Sequence, residues 1–447
     1  MSHRCPGVSG SEPRRGLSRE ADPSCKEADR VYDIAVLGMG YVGLPLALEA
    51  TESGMRAVGL DIDRMLVESL NAGTSHIVDV ADEEIQDAVA AGFEITTDWA
   101  VLGDAAAIVI AVPTPLVDYS PDLAFVEAAA TTVGNYLRAN QLVVLESTTY
   151  PGTTEEIVQP ILEERSGLSA GTDFHLAFSP ERIDPGNPTW NLRNTPKLVA
   201  GIDALSTERA AELYGTICDE VVTVSGTREA EMAKLLENTY RHVNIALVNE
   251  MAILCRELDI DIWEVIDAAA TKPFGYQAFY PGPGVGGHCI PVDPNYLSFL
   301  VRRLGFQFRF VELAQEINDR MPRYVVDRVA ALLNEQEKAV NGSRVLLIGI
   351  TYKPDVADPR ESPALQVAAL LAERGAVLSY ADPFADRLAD DMVPMIHVHD
   401  AVEAAAVCDV AVILTPHTAF DIQGIVSAAP AVLDTRGVVS GNGATRL

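Results

Sequence analysis

The stretch VYDIAVLGMGYVGLPLALEATESGMRAVGLD, residues 31–61, decides the fold class. It opens on a short β-branched apolar run ending at Gly38 and passes through a glycine-rich turn into an apolar helical stretch, Leu44 to Ala50. It closes on a second strand, Arg56 to Asp61. Strand, helix and strand in this order form a βαβ unit. The turn, Gly38-Met39-Gly40-Tyr41-Val42-Gly43, places glycine at three points with separate demands. Gly38 allows the tight turn, Gly40 lets backbone approach a pyrophosphate, and Gly43 lets helix and strand pack closely. The helix that follows offers unpaired N–H groups and a positive dipole end. Glycine-rich turns are common, so the hexamer alone is weak. Asp61 strengthens it: about 20 residues on, a carboxylate at the end of the second strand takes ribose hydroxyls and repels a 2′-phosphate. The expected cofactor is NAD rather than NADP.

Outward from this unit, Ala105–Val112 and Gln141–Leu145 supply two more buried strands, each followed by a Pro/Thr/Ser-rich turn. From Arg228 to about Asp259 the pattern is helical with no Pro or Gly inside, and Leu235, Leu236, Ile245 and Leu247 predict a largely buried helix. The loop FYPGPGVGGHCIPVDP occupies residues 279–294, and helical pattern resumes to roughly Leu333. At Arg344 the chain starts over: VLLIGI predicts a strand, Pro363–Arg374 a helix, and Ala376–Asp382 a strand ending in Asp. CDVAVILTP at 408–416 echoes AAIVIAVPTP at 106–115. The expected fold is α/β, with two Rossmann-like doubly wound domains joined by a helical central domain. A chain of 447 residues exceeds what one hydrophobic core serves. The expected divisions are a disordered tail (1–30), an NAD-binding domain (31–225), a helical central domain with the cysteine loop (226–333), and a C-terminal Rossmann-like domain (334–447). Gly349 is followed by Ile-Thr-Tyr-Lys-Pro, so the second half is expected to have lost dinucleotide binding.

The chain carries 33 basic and 64 acidic residues, a formal charge of −31. No positive field would steer nucleic acid or an anionic membrane toward it. An anionic substrate therefore needs local cations, and lysines are rare enough that any at a motif position carries weight. The six cysteines show neither C-x-x-C nor zinc spacing, so no metal and no disulfide framework is expected. No apolar run approaches the ~20 residues of a membrane span. A reducing cytoplasm is the expected location.

Cys289 follows Gly284-Val285-Gly286-Gly287-His288, a loop too poor in side chains to need a core filler. Glycines there bring backbone close to a ligand. A thiol in such a loop is a candidate nucleophile, because a thiolate adds readily to carbonyls. His288, as a sequence neighbour, suits a positioning role better than a Cys/His pair. Lys234 and Asn238 are i and i+4 on the long helix, hence on one face. An ammonium beside an amide donor there suits a developing alkoxide. Arg241 continues nearly the same face toward a phosphate or sugar substituent. Glu181, in Ser179-Pro180-Glu181-Arg182, follows an apolar stretch at a strand end, where active-site groups collect in open sheets. The spacing serves a surface turn equally well.

Together GMGYVGLPLA, FSPERIDPG, EMAKLLENTYRHVNIALVNE, FYPGPGVGGHCIPVDP and ITYKPDVADPRESP resemble the UDP-glucose/GDP-mannose dehydrogenase family, in family order and over roughly residues 31–437. The resemblance implies a homodimer acting on a UDP-sugar. It implies NAD on Gly38 to Gly43 with Asp61 on its ribose, Thr114 and Thr148 on the nicotinamide side, and Arg360 reaching across from the far domain. Lys234, or a water held by it and Asp293, deprotonates the C6 hydroxyl as the first hydride leaves. Cys289 traps the aldehyde as a thiohemiacetal whose oxyanion Lys234 and Asn238 stabilise. A second hydride transfer leaves a thioester, and Glu181 with Thr148 directs water to it. Ile183, Tyr280, Gly282, Gly284 and Gly286 join Glu181, Lys234 and Asn238 around the substrate, and Lys353 to Arg360 position UDP and cofactor.

The run Arg182-Ile183-Asp184-Pro185-Gly186 departs from the Phe-Leu-Arg-Glu run typical of UDP-glucose enzymes. It resembles the branch acting on UDP-N-acetylhexosamines, with Arg182 and Arg241 as substrate contacts. Within it the expected order is UDP-N-acetylglucosamine, then UDP-N-acetylmannosamine and UDP-N-acetylgalactosamine. The alternatives are a UDP-glucose 6-dehydrogenase, a redox-neutral NAD-dependent UDP-sugar epimerase with no need of Cys289, and a two-electron hydroxyacid dehydrogenase.

Overall fold

Strand β1 (Tyr32–Leu37) runs through the middle of an eight-stranded sheet in the computed structural model, which describes residues 31–447 apart from 78–79, 118–119, 185, 288–292, 304, 306 and 386–392. The tail expected over residues 1–30 lies outside the described residues, as do His288 and Cys289. The other strands are β2 (Ala57–Leu60), β3 (Glu94–Thr96), β4 (Ala105–Ile110), β5 (Leu142–Leu145), β6 (His175–Phe178), β7 (Lys197–Gly201) and β8 (Val221–Thr223). Their spatial order is β8-β7-β6-β5-β4-β1-β2-β3. From β3 to β6 every pair is parallel, in the doubly wound order 3-2-1-4-5-6. β7 then turns antiparallel to β6, pairing Ala177 with Gly201.

Both faces of β1 are covered, which is why its sequence reads as a nearly unbroken apolar run. Ile34 and Val36 pack on one side with Leu44 and Ala47, residues of helix α1 (Gly43–Glu52). Ala35 and Leu37 pack on the other with Ile108, Val126 and Phe174.

The second sheet comprises β9 (Arg344–Ile348), β10 (Val377–Ala381), β11 (Ile396–His397), β12 (Val410–Ile413), β13 (Val432–Asp434) and β14 (Thr445–Arg446). Its order, β11-β10-β9-β12-β13-β14, repeats the 3-2-1-4-5-6 pattern with every pair parallel.

Helices join the sheets: α2 (Thr227–Glu257), α3 (Ile262–Ala270), α4 (Asp293–Arg303) and α5 (Arg309–Glu335). Early α2 belongs to the first domain, where Ala230 and Leu235 pack with Phe174 and Leu176. Farther along, its Asn249 side chain donates to Asn318 of α5 at 2.9 Å. Val325 and Val329 of α5 then enter the core of the second sheet beside Val345 and Leu347. The expectation of a largely buried α2 needs correction. Leu235 is fully buried, but Leu236 and Leu247 are 64% and 54% exposed, in an outward stripe with Tyr240, Met251, Leu254 and Leu258. Apolar residues occupy two faces of α2, and only one meets the core.

Candidate active site

The carboxyl ends of β1, β4, β5 and β6 open onto one edge of the first sheet, and the turns leaving them carry several of the expected site residues. Gly38 takes φ +92° at the end of β1. A Cβ on Gly43 would fall 1.8 Å from the Gly38 carbonyl oxygen, so helix and turn are packed to contact. A Cβ on Gly40 would meet no protein atom within 4 Å, so glycine there leaves room for something from outside the chain. Asp61 sits beside this turn, its carboxylate accepting from the N–H groups of Met39 at 2.8 Å and Asp63 at 2.9 Å. Tyr41 stands 40% exposed on the turn, with the Arg360 guanidinium 5.9 Å from its ring centroid. Cradle, carboxylate and cross-domain arginine fit a dinucleotide.

Helix α2 crosses the same edge. Buried Lys234 donates to Thr148 Oγ1 at 2.5 Å, in the turn after β5. Asn238, one turn on, donates to Asp293 Oδ2 at 2.5 Å. Asp293 opens α4 and is 2% exposed; burial raises its pKa to about 6, against the pull of Lys234 and Asn238. Tyr296, three residues along α4, donates to the Thr114 carbonyl oxygen at 2.6 Å and ties that helix to the turn after β4. Thr114, Thr148, Lys234, Asn238 and Asp293 are thus brought together. Burial presses the Glu181 carboxyl upward, but Lys197, the Ile183 N–H and Lys234 outweigh it and hold its pKa below the ordinary range.

Three of the expected cations are paired with carboxylates. Arg182 forks onto Glu237 of α2 at 3.1 and 2.7 Å and donates to the Pro196 carbonyl. Lys353 pairs with Asp184 across the domains at 2.6 Å, and Arg360 forks onto Asp358 at 2.9 and 2.8 Å. These three brace the loops around the site, their charge matched by carboxylates. Arg241 is exposed on α2.

The glycines of the 282–287 loop are closely packed. A Cβ on Gly286 would lie 2.7 Å from Pro363 and 2.8 Å from the Glu361 carbonyl, and one on Gly284 3.1 Å from Pro363. They are small so that the loop can pack against the C-terminal domain, a contact no local pattern announces. Tyr280 stacks on Trp263 of α3, centroids 5.7 Å apart, and donates to Asp267.

Two site residues escaped the sequence reading. Arg436 follows the end of β13; its Nε donates to the Leu414 carbonyl at 2.8 Å, and a Cβ on Gly282 would fall 2.6 Å from its guanidinium. Burial lowers its pKa to about 10, opposed by Asp434. Its signal was a cation just after the short apolar run Ala431-Val432-Leu433. The other is Lys197, which donates to both Glu146 and Glu181. The antiparallel turn of β7 puts Lys197 at the same sheet edge as Glu181, and strand direction is not written in local sequence.

Fold and site define a dinucleotide-dependent oxidoreductase built on two Rossmann sheets. Residues 32–218 match the NAD binding domain of the UDP-glucose/GDP-mannose dehydrogenase family, 228–320 its central domain and 346–441 its UDP binding domain. The chain belongs to this family; its cofactor is NAD, and it is an NAD-dependent nucleotide-sugar dehydrogenase. It is 36% identical over 420 residues to the UDP-N-acetyl-D-mannosamine dehydrogenase of Yersinia pestis, covering 91% of this chain and 98% of that one. It is also 36% identical over 357 residues to the UDP-N-acetyl-D-glucosamine 6-dehydrogenase of Pseudomonas aeruginosa, covering 78% and 82%. The solved UDP-D-ManNAc dehydrogenase of Pyrococcus horikoshii superposes with a TM-score of 0.84 at 31% identity, covering 92% of this chain and 98% of that one. Among the described residues no helix is long and apolar enough to cross a membrane.

Proposed function

We propose that the protein oxidises the C6 hydroxyl of a UDP-N-acetylhexosamine to a carboxylate through a thioester on Cys289. The observation that carries this reading is the pairing of Lys234 with Thr148 and of Asn238 with Asp293 at the edge that holds the NAD cradle. NAD, when bound, would supply the hydride acceptor, one molecule for each of the two oxidations. Gly38, Gly40 and the N–H groups through Gly43 hold its pyrophosphate, Asp61 its ribose, and Thr114, Thr148 and Arg360 border it.

Lys234, or a water held by it and Asp293, takes the C6 hydroxyl proton. An Asp293 carboxyl titrating at about pH 6 is ionised in neutral solution yet basic enough to hold a proton briefly. Cys289, two residues after Gly287 and four before Asp293, adds to the aldehyde. Lys234 and Asn238 then face the resulting oxyanion from one helix face. Glu181 and Thr148 direct water to the thioester. Arg182, Ile183, Arg241, Tyr280, the 282–286 glycines, Lys353 and Arg436 shape the UDP-sugar site, with Arg436 supplying the cation expected for phosphate.

The relatives support both N-acetylated epimers. UDP-N-acetylmannosamine therefore stands beside UDP-N-acetylglucosamine as first substrate to assay, ahead of UDP-glucose. Two NADH released per sugar is the expected count; one or none overturns the four-electron reading. Cys289→Ser should keep NAD binding and lose turnover at least a hundredfold, on the order of ~10² or more for losing a covalent route. Normal turnover by that variant removes the thioester.

The exposed α2 stripe, repeating at heptad-like intervals through Tyr240, Leu247 and Leu254, fits self-association, and we assign the homodimer contact to it. A reducing cytoplasm is the proposed location.

A further inference from the structure

Lys197 has no part in the chemistry described so far, yet the residue is 3% exposed at the start of β7 and its ammonium lies between two carboxylates. It donates to Glu146, which follows β5, and at 3.2 Å to Glu181 Oε2. The second Glu146 oxygen accepts from the Tyr214 hydroxyl at 3.4 Å, and the Tyr214 ring centroid is 5.0 Å from the ammonium. The other Glu181 oxygen takes the N–H groups of Arg182 at 2.7 Å and Ile183 at 2.6 Å. Cys218 borders the trio, and Lys234 of α2 acts on Glu181 from the site.

Burying three charges is expensive, and a fold gains more from apolar residues of the same volume. One acid would suffice to neutralise Lys197. The second acid is the one at the mouth of the site, which gives the arrangement a direction: Glu146 anchors the lysine and the lysine holds Glu181.

We propose that Lys197, anchored by Glu146, is a positioning residue that keeps Glu181 ionised and oriented for hydrolysis of the thioester, a role resting on the thioester reading above. In that step a water oxygen bonds to the acyl carbon and the C–S bond breaks with its electron pair going to sulfur. One water proton passes to Glu181, and the other leaves on the product acid to solvent. Burial raises the pKa of Glu146, while that of Glu181 is held low, so a proton entering the trio at rest settles on Glu146 and leaves Glu181 charged.

Lys197→Met alone would leave two buried carboxylates face to face, so the working variant is Lys197→Met with Glu146→Gln. It should release the first two NADH per active site within about twofold of the wild-type rate and then turn over about a hundredfold more slowly, the scale of losing a general base. Intact-mass measurement should show the uronyl adduct accumulating, and the acid limb of the turnover profile should move to higher pH. Unchanged turnover, or burst and turnover falling in parallel, overturns the inference. Glu146→Gln alone reads the same point if the double variant does not fold: accumulated adduct supports the positioning role, and its absence overturns it. Glu181→Gln separates the two layers. Adduct in Glu181→Gln but not in the lysine variants sinks the role of Lys197, whereas no adduct in any of them sinks the thioester reading itself.

Discussion

Gly40 and Gly43 belong to one hexamer but answer to different forces. At Gly43 an added Cβ runs into the Gly38 carbonyl at 1.8 Å, so backbone must move. Gly43→Ala should cost about 1–3 kcal/mol of stability, the range for overpacking, and lower the melting temperature whether or not NAD is present. At Gly40 the added Cβ meets nothing in the protein. Gly40→Ala should melt like the wild type in the apo form and bind NAD about tenfold more weakly, a loss of ~1.4 kcal/mol. Calorimetric titration beside thermal melts reads both, and equal melting losses in the two variants would contradict this division. Asp61 and Lys234 were legible at this scale because each is tied to a local pattern: a strand end and an i, i+4 pair. Lys197 and Arg436 were not, since their partners come from other strands.

Helix α2 carries, one turn before Lys234, a second acid with a pH signature. Glu231 is 1% exposed and accepts from Gly152 N at 2.6 Å and from Thr154 N and Oγ1 at 2.9 and 2.7 Å. It latches the helix to the loop that leaves β5 past Thr148. Burial raises its pKa from 4.5 to about 7, against the opposing hydrogen bonds from Thr154 and Gly152. The interior favours its neutral form. Its stabilising contribution is therefore complete below pH 4.5 and is lost as pH rises through about 7. Between pH 5 and 8 this one group should account for about 2–3 kcal/mol of declining stability. Glu231→Gln should flatten that slope in chemical denaturation run at several pH values; an unchanged slope would show that Glu231 titrates as an ordinary exposed acid. The helix itself was readable from its unbroken pattern, which predicted Arg228 to about Asp259 where the structure has Thr227–Glu257. Which of its apolar residues face inward was not, because a helix with two apolar faces fits a core and a partner equally well.

For the whole molecule, the outward stripe on α2 tests the assembly. Leu254→Glu with Leu247→Glu puts two carboxylates into the proposed contact and leaves the fully buried Leu235 face untouched. Light scattering should give the mass of a dimer for the wild type and of a monomer for this variant, with the circular dichroism spectrum kept. A variant that remains dimeric would move the contact elsewhere. The two Rossmann sheets, the helical middle and the glycine-rich turn are legible in the sequence, because strand, turn and helix signals act over a few residues and the family motifs lie inside such runs. Four features belong to the folded chain alone. The antiparallel β7 brings Lys197 to Glu181, Gly286 meets Pro363, Arg436 reaches Gly282, and the cations of the expected substrate site are matched by Glu237, Asp184 and Asp358. Each depends on which distant segments become neighbours. Sequence alone determined which elements form and where the glycine-rich turn after β1 falls, since those follow from local propensity and periodicity. Tertiary structure alone decided which charges remain available for chemistry, since a charge is neutralised by what stands within a few ångströms in space, however far apart the partners lie along the chain.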